Sequence, residues 1–98
     1  MPWFLYLIEC TDGSLYTGIA TDVEARFAKH VSGAGVRYTR SHKPVAVRAS
    51  FEPSGRVEAS RAEYRVKRLA LARKWALVAG ELTLDAVMPV EAEETPAD

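Results

Sequence analysis

Two phenols, a guanidinium, an imidazole and a carboxylate stand in or beside apolar stretches of this 98-residue chain. Tyr6 lies in the run WFLYLIEC and Tyr16 in the run LYTGIA, ten residues on and two before Gly18. Arg26 and His30 follow four positions apart, and Glu63 lies far downstream beside alanines and a valine. Such groups can move protons, grip an anion and hold a cation where a fold brings them together. Each also has a plain alternative, as a packed aromatic, a surface base or half of an ion pair.

The elements that must position them read in order. Trp3 to Cys10 is apolar or aromatic at almost every residue, which predicts a central strand covered on both faces. Asp12-Gly13 supplies a turn, and Leu15 to Ala20 returns as the second strand of a hairpin. Gly18 inside that strand marks a bulge or a place where a backbone or ligand comes close. Thr21 with Glu24 reads as a capping box, making Asp22 the first helical residue. Val23, Phe27 and Val31 form one apolar stripe, with Arg26 and His30 bordering it on the same side.

Ser32 to Pro44 reads as a loop carrying Arg37, Tyr38, Arg40, His42 and Lys43 without an acid. Val45 to Phe51 alternates as a half-exposed strand. Val57 to Leu71 is helical in pattern, with Ala59, Ala62, Val66, Leu69 and Ala70 on one face. Glu63 projects to the edge of that face, where a carboxylate is costly unless paired or bound to metal. Arg73 to Ala79 reads as a short last helix stopped by Gly80. The order is ββαβα, with one further helix: an α+β domain built on a small three-stranded, mostly antiparallel sheet flanked by helices. Residues 1–80 form that domain, and residues 81–98 read as an acidic, flexible tail.

The net charge of zero hides an asymmetry. Six of the 13 acids fall between Glu81 and Asp98, where there is no base. The 80 residues before them hold all 13 bases against seven acids, a body that suits a polyanionic partner or is an uneven surface. No run of about 18 apolar residues is present to cross a membrane, and the start lacks the pattern of a secretory signal. The single Cys10 forms no internal disulfide, so a reducing, cytoplasmic setting is expected.

The ordered set resembles the GIY-YIG endonuclease superfamily. Phe4-Leu5-Tyr6 stands at its first tripeptide, Tyr16-Thr17-Gly18 at its second, Arg26 and His30 at its helix motif, and Glu63 at its metal-binding glutamate. The resemblance spans Pro2 to Val78 and is closest to short stand-alone bacterial members, similar to Slx-type structure-specific nucleases. Thr17 replaces the usual aliphatic. The chain has no asparagine, so the late asparagine of several larger members is absent or its role is filled otherwise.

The resemblance implies a catalytic set of Tyr6, Tyr16, Arg26, His30 and Glu63. Glu63 would hold one Mg²⁺ or Mn²⁺ that stabilises the leaving oxygen. Arg26 would grip the scissile phosphate. Tyr6 or Tyr16 would deprotonate the water if nearby cations depress its pKa, and His30 would relay the proton or fix a tyrosine. Gly18, Arg37, Tyr38, Arg40, Lys43 and Lys67 are the expected nucleic-acid contacts, with Tyr38 able to stack on an unpaired base. DNA is the expected substrate, RNA remains open, and a protein partner would supply target recognition. A non-catalytic nucleic-acid-binding or docking module is the competing reading.

Overall fold

The apolar residues on both sides of the first run need two covers, and the fold supplies them. In the computed structural model, which describes residues 1–33, 38 and 41–88, β1 (Phe4–Cys10) is the middle strand between β2 (Leu15–Ala20) and β3 (Pro44–Phe51). Both pairings are antiparallel. One face of β1 presents Tyr6 and Ile8, packed with Ala20, Tyr16, Val23, Phe27 and Val47 beneath α1 (Val23–Ser32). The other face presents Leu5 and Leu7 to α2 (Arg56–Lys67) and α3 (Leu71–Ala79), through Ala62, Val66 and Leu77. The α+β architecture predicted by the patterning is the one observed.

Several details differ for definable reasons. The cap of α1 is Asp22, not Thr21: Asp22 is extended and its Oδ1 accepts the Ala25 N–H at 3.1 Å, so the helix begins one residue later. Strict alternation would place Val47, Ala49 and Phe51 on one face. A bulge at Arg48, between the pairs Ile8–Val47 and Leu7–Ala49, sends Val47 to the tyrosine face and the other two to the leucine face. The displaced Arg48 reaches Glu9 on β1 at 2.7 Å.

The helix predicted to reach Leu71 stops at Lys67, and Ala70 is extended before α3 starts at Leu71. No glycine or proline marks that break. It lets Leu69, in the break, and Leu77 and Val78, on α3, reach the same core. Gly80, at φ 80°, closes α3 as expected, with its N–H on the Leu77 carbonyl and the Glu81 N–H on that of Ala76. The ordered fold does not end there. Leu82, Leu84, Val87 and Met88 pack on the Leu5–Leu7 core, and α4 (Leu84–Val87) is capped by Thr83. The apolar residues between the first acids of the expected tail thus have a core to join. Among the described residues, no helix is long and apolar enough to cross a membrane.

Candidate active site

The ten-residue step between the tyrosines is set by the hairpin register. Tyr6 pairs with Gly18 and Ile8 with Tyr16, so the two phenols share a face as diagonal neighbours, with ring centres 6.4 Å apart. Gly18 is what lets Tyr6 lie flat across β2. A Cβ at Gly18 would meet the Tyr6 Cζ at 2.6 Å and would overlap the hydroxyl as well. The sequence suggests that Gly18 leaves room for nucleic acid; the structure fills that room with Tyr6.

His30 holds the place expected of Val31. It is 1% exposed on the buried side of α1, whereas Val31 is 56% exposed. Its Nε2 lies 3.2 Å from the Tyr6 hydroxyl, and its ring centre is 5.2 Å from that of Tyr16. Burial and the neighbouring Arg26 charge push the His30 pKa down, so the imidazole is neutral near pH 7. Arg26 itself is on the exposed side of α1, close enough to the phenols to favour their charged forms. Of the two polar residues expected to border the stripe together, one is sealed inside and one meets solvent.

Cations do not win at the phenols. Burial outweighs Arg26 and pushes Tyr6, 2% exposed, up to about 12. Tyr16 is half-buried and also raised, by burial against the opposing charges of Lys67 and Arg26. The expectation of a depressed tyrosine pKa is therefore reversed in the protein alone. Neither phenol is ionised at neutral pH, and Tyr16 is the one presented to solvent.

Glu63 comes from the opposite layer. It projects from α2 beside Ala62 and reaches round the β2 edge, where its charge bears on both phenols. Its Oε2 accepts from Lys67 Nζ at 3.2 Å, one turn along the helix, and its side chain is 25% exposed. The Lys67 ammonium stands 5.6 Å from the centre of the Tyr16 ring. Lys74 on α3 adds a further base near Lys67; burial and that like charge lower its pKa. Lys74 carries no signal in the sequence, since it lies in an ordinary helical pattern.

Tyr38 joins the cluster, although not as an open stacking platform. It lies 5.5 Å from Tyr16 between ring centres and is stacked on His42 at 4.1 Å and 9°. His42 in turn approaches the Asp12 carboxylate of the hairpin turn at 3.7 Å. One face of the ring expected to take an unpaired base is thus stacked on His42. Lys43 is exposed and its carbonyl accepts the Thr11 N–H at 2.9 Å. Arg37 and Arg40 lie outside the described residues.

The donor set fits one kind of metal. Among the described residues no group of three or more His, Cys, Asp or Glu side chains could form a cage. A single half-exposed carboxylate suits a hard ion of the Mg²⁺ type, which keeps most of its waters and takes substrate oxygens. It does not suit a buried transition-metal centre.

Comparison with known proteins identifies the family. The family model described as the GIY-YIG catalytic domain matches residues 2–75. A UPF0213 protein of Cupriavidus necator is 51% identical over 77 residues, covering 79% of this chain and 84% of that protein. Another, from Cronobacter sakazakii, is 48% identical over 94 residues, covering 96% and 97%. The solution NMR structure of a UPF0213 protein from Bacillus halodurans is 40% identical, with a TM-score of 0.53 over 89% of this chain and 93% of that one. With its hairpin tyrosines, helix motif and glutamate in the matched span, this chain belongs to the GIY-YIG domain family, a family of nucleases.

Proposed function

We propose that the chain is a divalent-metal-dependent endonuclease that hydrolyses DNA phosphodiester bonds, selecting by structure rather than base sequence, as repair or recombination requires. The observation that carries the reading is the meeting of Tyr6, Tyr16, Arg26, His30 and Glu63 beside β2 from four separate elements. Glu63 would hold a single Mg²⁺ or Mn²⁺, which when bound supplies Lewis acidity to the phosphate and its leaving oxygen.

The chain's own residues do the rest. Arg26 grips the phosphate with two parallel N–H donors and stabilises the charge that grows in the transition state. Tyr16, half-exposed beside Lys67 and Arg26, orients the attacking water and accepts its hydrogen bond. His30 is neutral near pH 7 and so can take up a proton, and Tyr6 is hydrogen-bonded to it. A proton taken from water can therefore pass through a phenol to imidazole without a free phenolate. Lys67 and Lys74 hold the substrate backbone, with Lys43, Arg37 and Arg40 as further contacts. A partner protein would supply the target recognition for which this small body has little surface.

The second reading, a binding or docking module without catalysis, is favoured by the Glu63–Lys67 ion pair and by two raised phenol pKa values. Incubating the native chain with branched, nicked and duplex DNA, and with a matched RNA, in Mg²⁺, Mn²⁺ or chelator separates the two. The nuclease reading expects metal-dependent cutting of branched or nicked DNA. Salt-sensitive binding with no cutting in either metal would leave the module.

A further inference from the structure

Beside Arg26, on the side away from the two tyrosines' hairpin turn, a cavity of about 230 Å³ opens between Trp3, the end of β2 and α1. Ile19, Ala20 and Ala25 give it an apolar floor, Trp3 forms a wall, and Arg26 and Lys29 stand at its rim. Its volume is below the roughly 300–1,000 Å³ of pockets that enclose whole drug-sized ligands, and suits one ring system. Arg56 stands over the Trp3 ring at 5.3 Å, yet does not line the cavity, so the indole is held while another part of its surface faces the pocket.

We infer that this cavity is a nucleobase subsite, which takes the base next to the phosphate gripped by Arg26 once that base leaves its stack. The inference rests on the nuclease reading for its substrate and adds the strand feature that the enzyme selects. Arg26 belongs to both places: its charge reaches Tyr6, Tyr16 and His30, and it lines the pocket. A phosphate at Arg26 and Lys29 brings the attached base within reach of an apolar place, against the indole. The Asp22 carboxylate, on the same wall and held as the α1 cap, repels a phosphate and accepts from a base N–H. Tyr38, the aromatic that the sequence offers for stacking, is taken up by His42 and Tyr16. A base that is already unpaired, at a branch, nick or flap, enters at the lowest unstacking cost, which gives structure selectivity without base reading.

The probe is dTMP against deoxyribose 5-phosphate, titrated into isotope-labelled full-length protein and followed by NMR. dTMP should bind about five- to a hundredfold more tightly than the sugar phosphate and shift the Trp3 indole N–H. Trp3→Ala should bring that ratio to about one, whereas Lys29→Ala should weaken both probes and leave the ratio intact. Equal binding of the two probes by the native protein, or shifts centred on Tyr38 and His42 with Trp3 unmoved, would overturn the subsite. Because the readout needs no cleavage, its failure leaves the nuclease reading standing, and a protein that binds dTMP at Trp3 but never cuts removes the nuclease and keeps the pocket.

Discussion

The Tyr6 hydroxyl and the His30 Nε2 meet at 3.2 Å inside the protein, both nearly sealed from solvent. That pair joins strand to helix and sets the protonation of the site: a neutral imidazole beside an un-ionised phenol. Since His30 titrates below its usual 6.5, the unfolded chain binds the extra proton first as pH falls. Its contribution to stability is complete above about pH 6.5 and is lost as pH drops toward the lowered native value. Urea unfolding between about pH 5 and 8 should show stability falling on acidification. His30→Gln should flatten that dependence.

Tyr6 predicts the opposite limb. Its pKa, pushed up to about 12, means that the native state keeps the proton when the unfolded phenol, at 10.0, has lost it. Stability should therefore fall as pH rises from about 10 toward 12, by on the order of 2 kcal/mol for full ionisation. Alkaline ultraviolet titration should show a late tyrosine that is absent in Tyr6→Phe.

Gly18→Ala should destabilise the fold by about 1–3 kcal/mol, because the new methyl must displace the Tyr6 ring. The loss should be measured by denaturant midpoint. A substitution that costs nothing would mean that Tyr6 does not cross β2 as described. Activity should fall with it, since the Tyr6–His30 contact is what the displaced ring gives up.

Thr17 is 2% exposed, and its hydroxyl has no hydrogen-bond partner among the described residues. It faces the leucine side of the sheet, opposite Leu7. Thr17→Val keeps the shape and removes an unpaired polar group, and should raise stability by about 1 kcal/mol while leaving nucleic-acid binding unchanged.

Much of the site was legible because its parts obey local rules. A turn at Asp12-Gly13 fixes the register that pairs Tyr6 with Gly18, and a period near four carries Phe27 and His30 to one side of α1. What was not legible depends on packing between elements. Nothing local says that the α1 stripe runs through His30 rather than Val31, a choice made when Tyr6 offers a hydroxyl to an imidazole. The bulge at Arg48 and the break after Lys67 have no glycine or proline to announce them. The direction of the phenol pKa values needed the depth of burial, which residue type cannot give. Trp3 and Lys74 look ordinary until the fold sets them beside Arg26 and Lys67.

Whether Glu63 makes this site cut is tested by cleavage of nicked and branched DNA in Mg²⁺ or Mn²⁺ by the native chain and by Glu63→Gln. The Glu63–Lys67 pair is a partly exposed i, i+4 contact, so its loss should cost only about 0.3–0.5 kcal/mol of stability. Glu63→Gln should fold, bind DNA as before and cut at least about 100-fold more slowly. Cutting at the native rate by Glu63→Gln would contradict it.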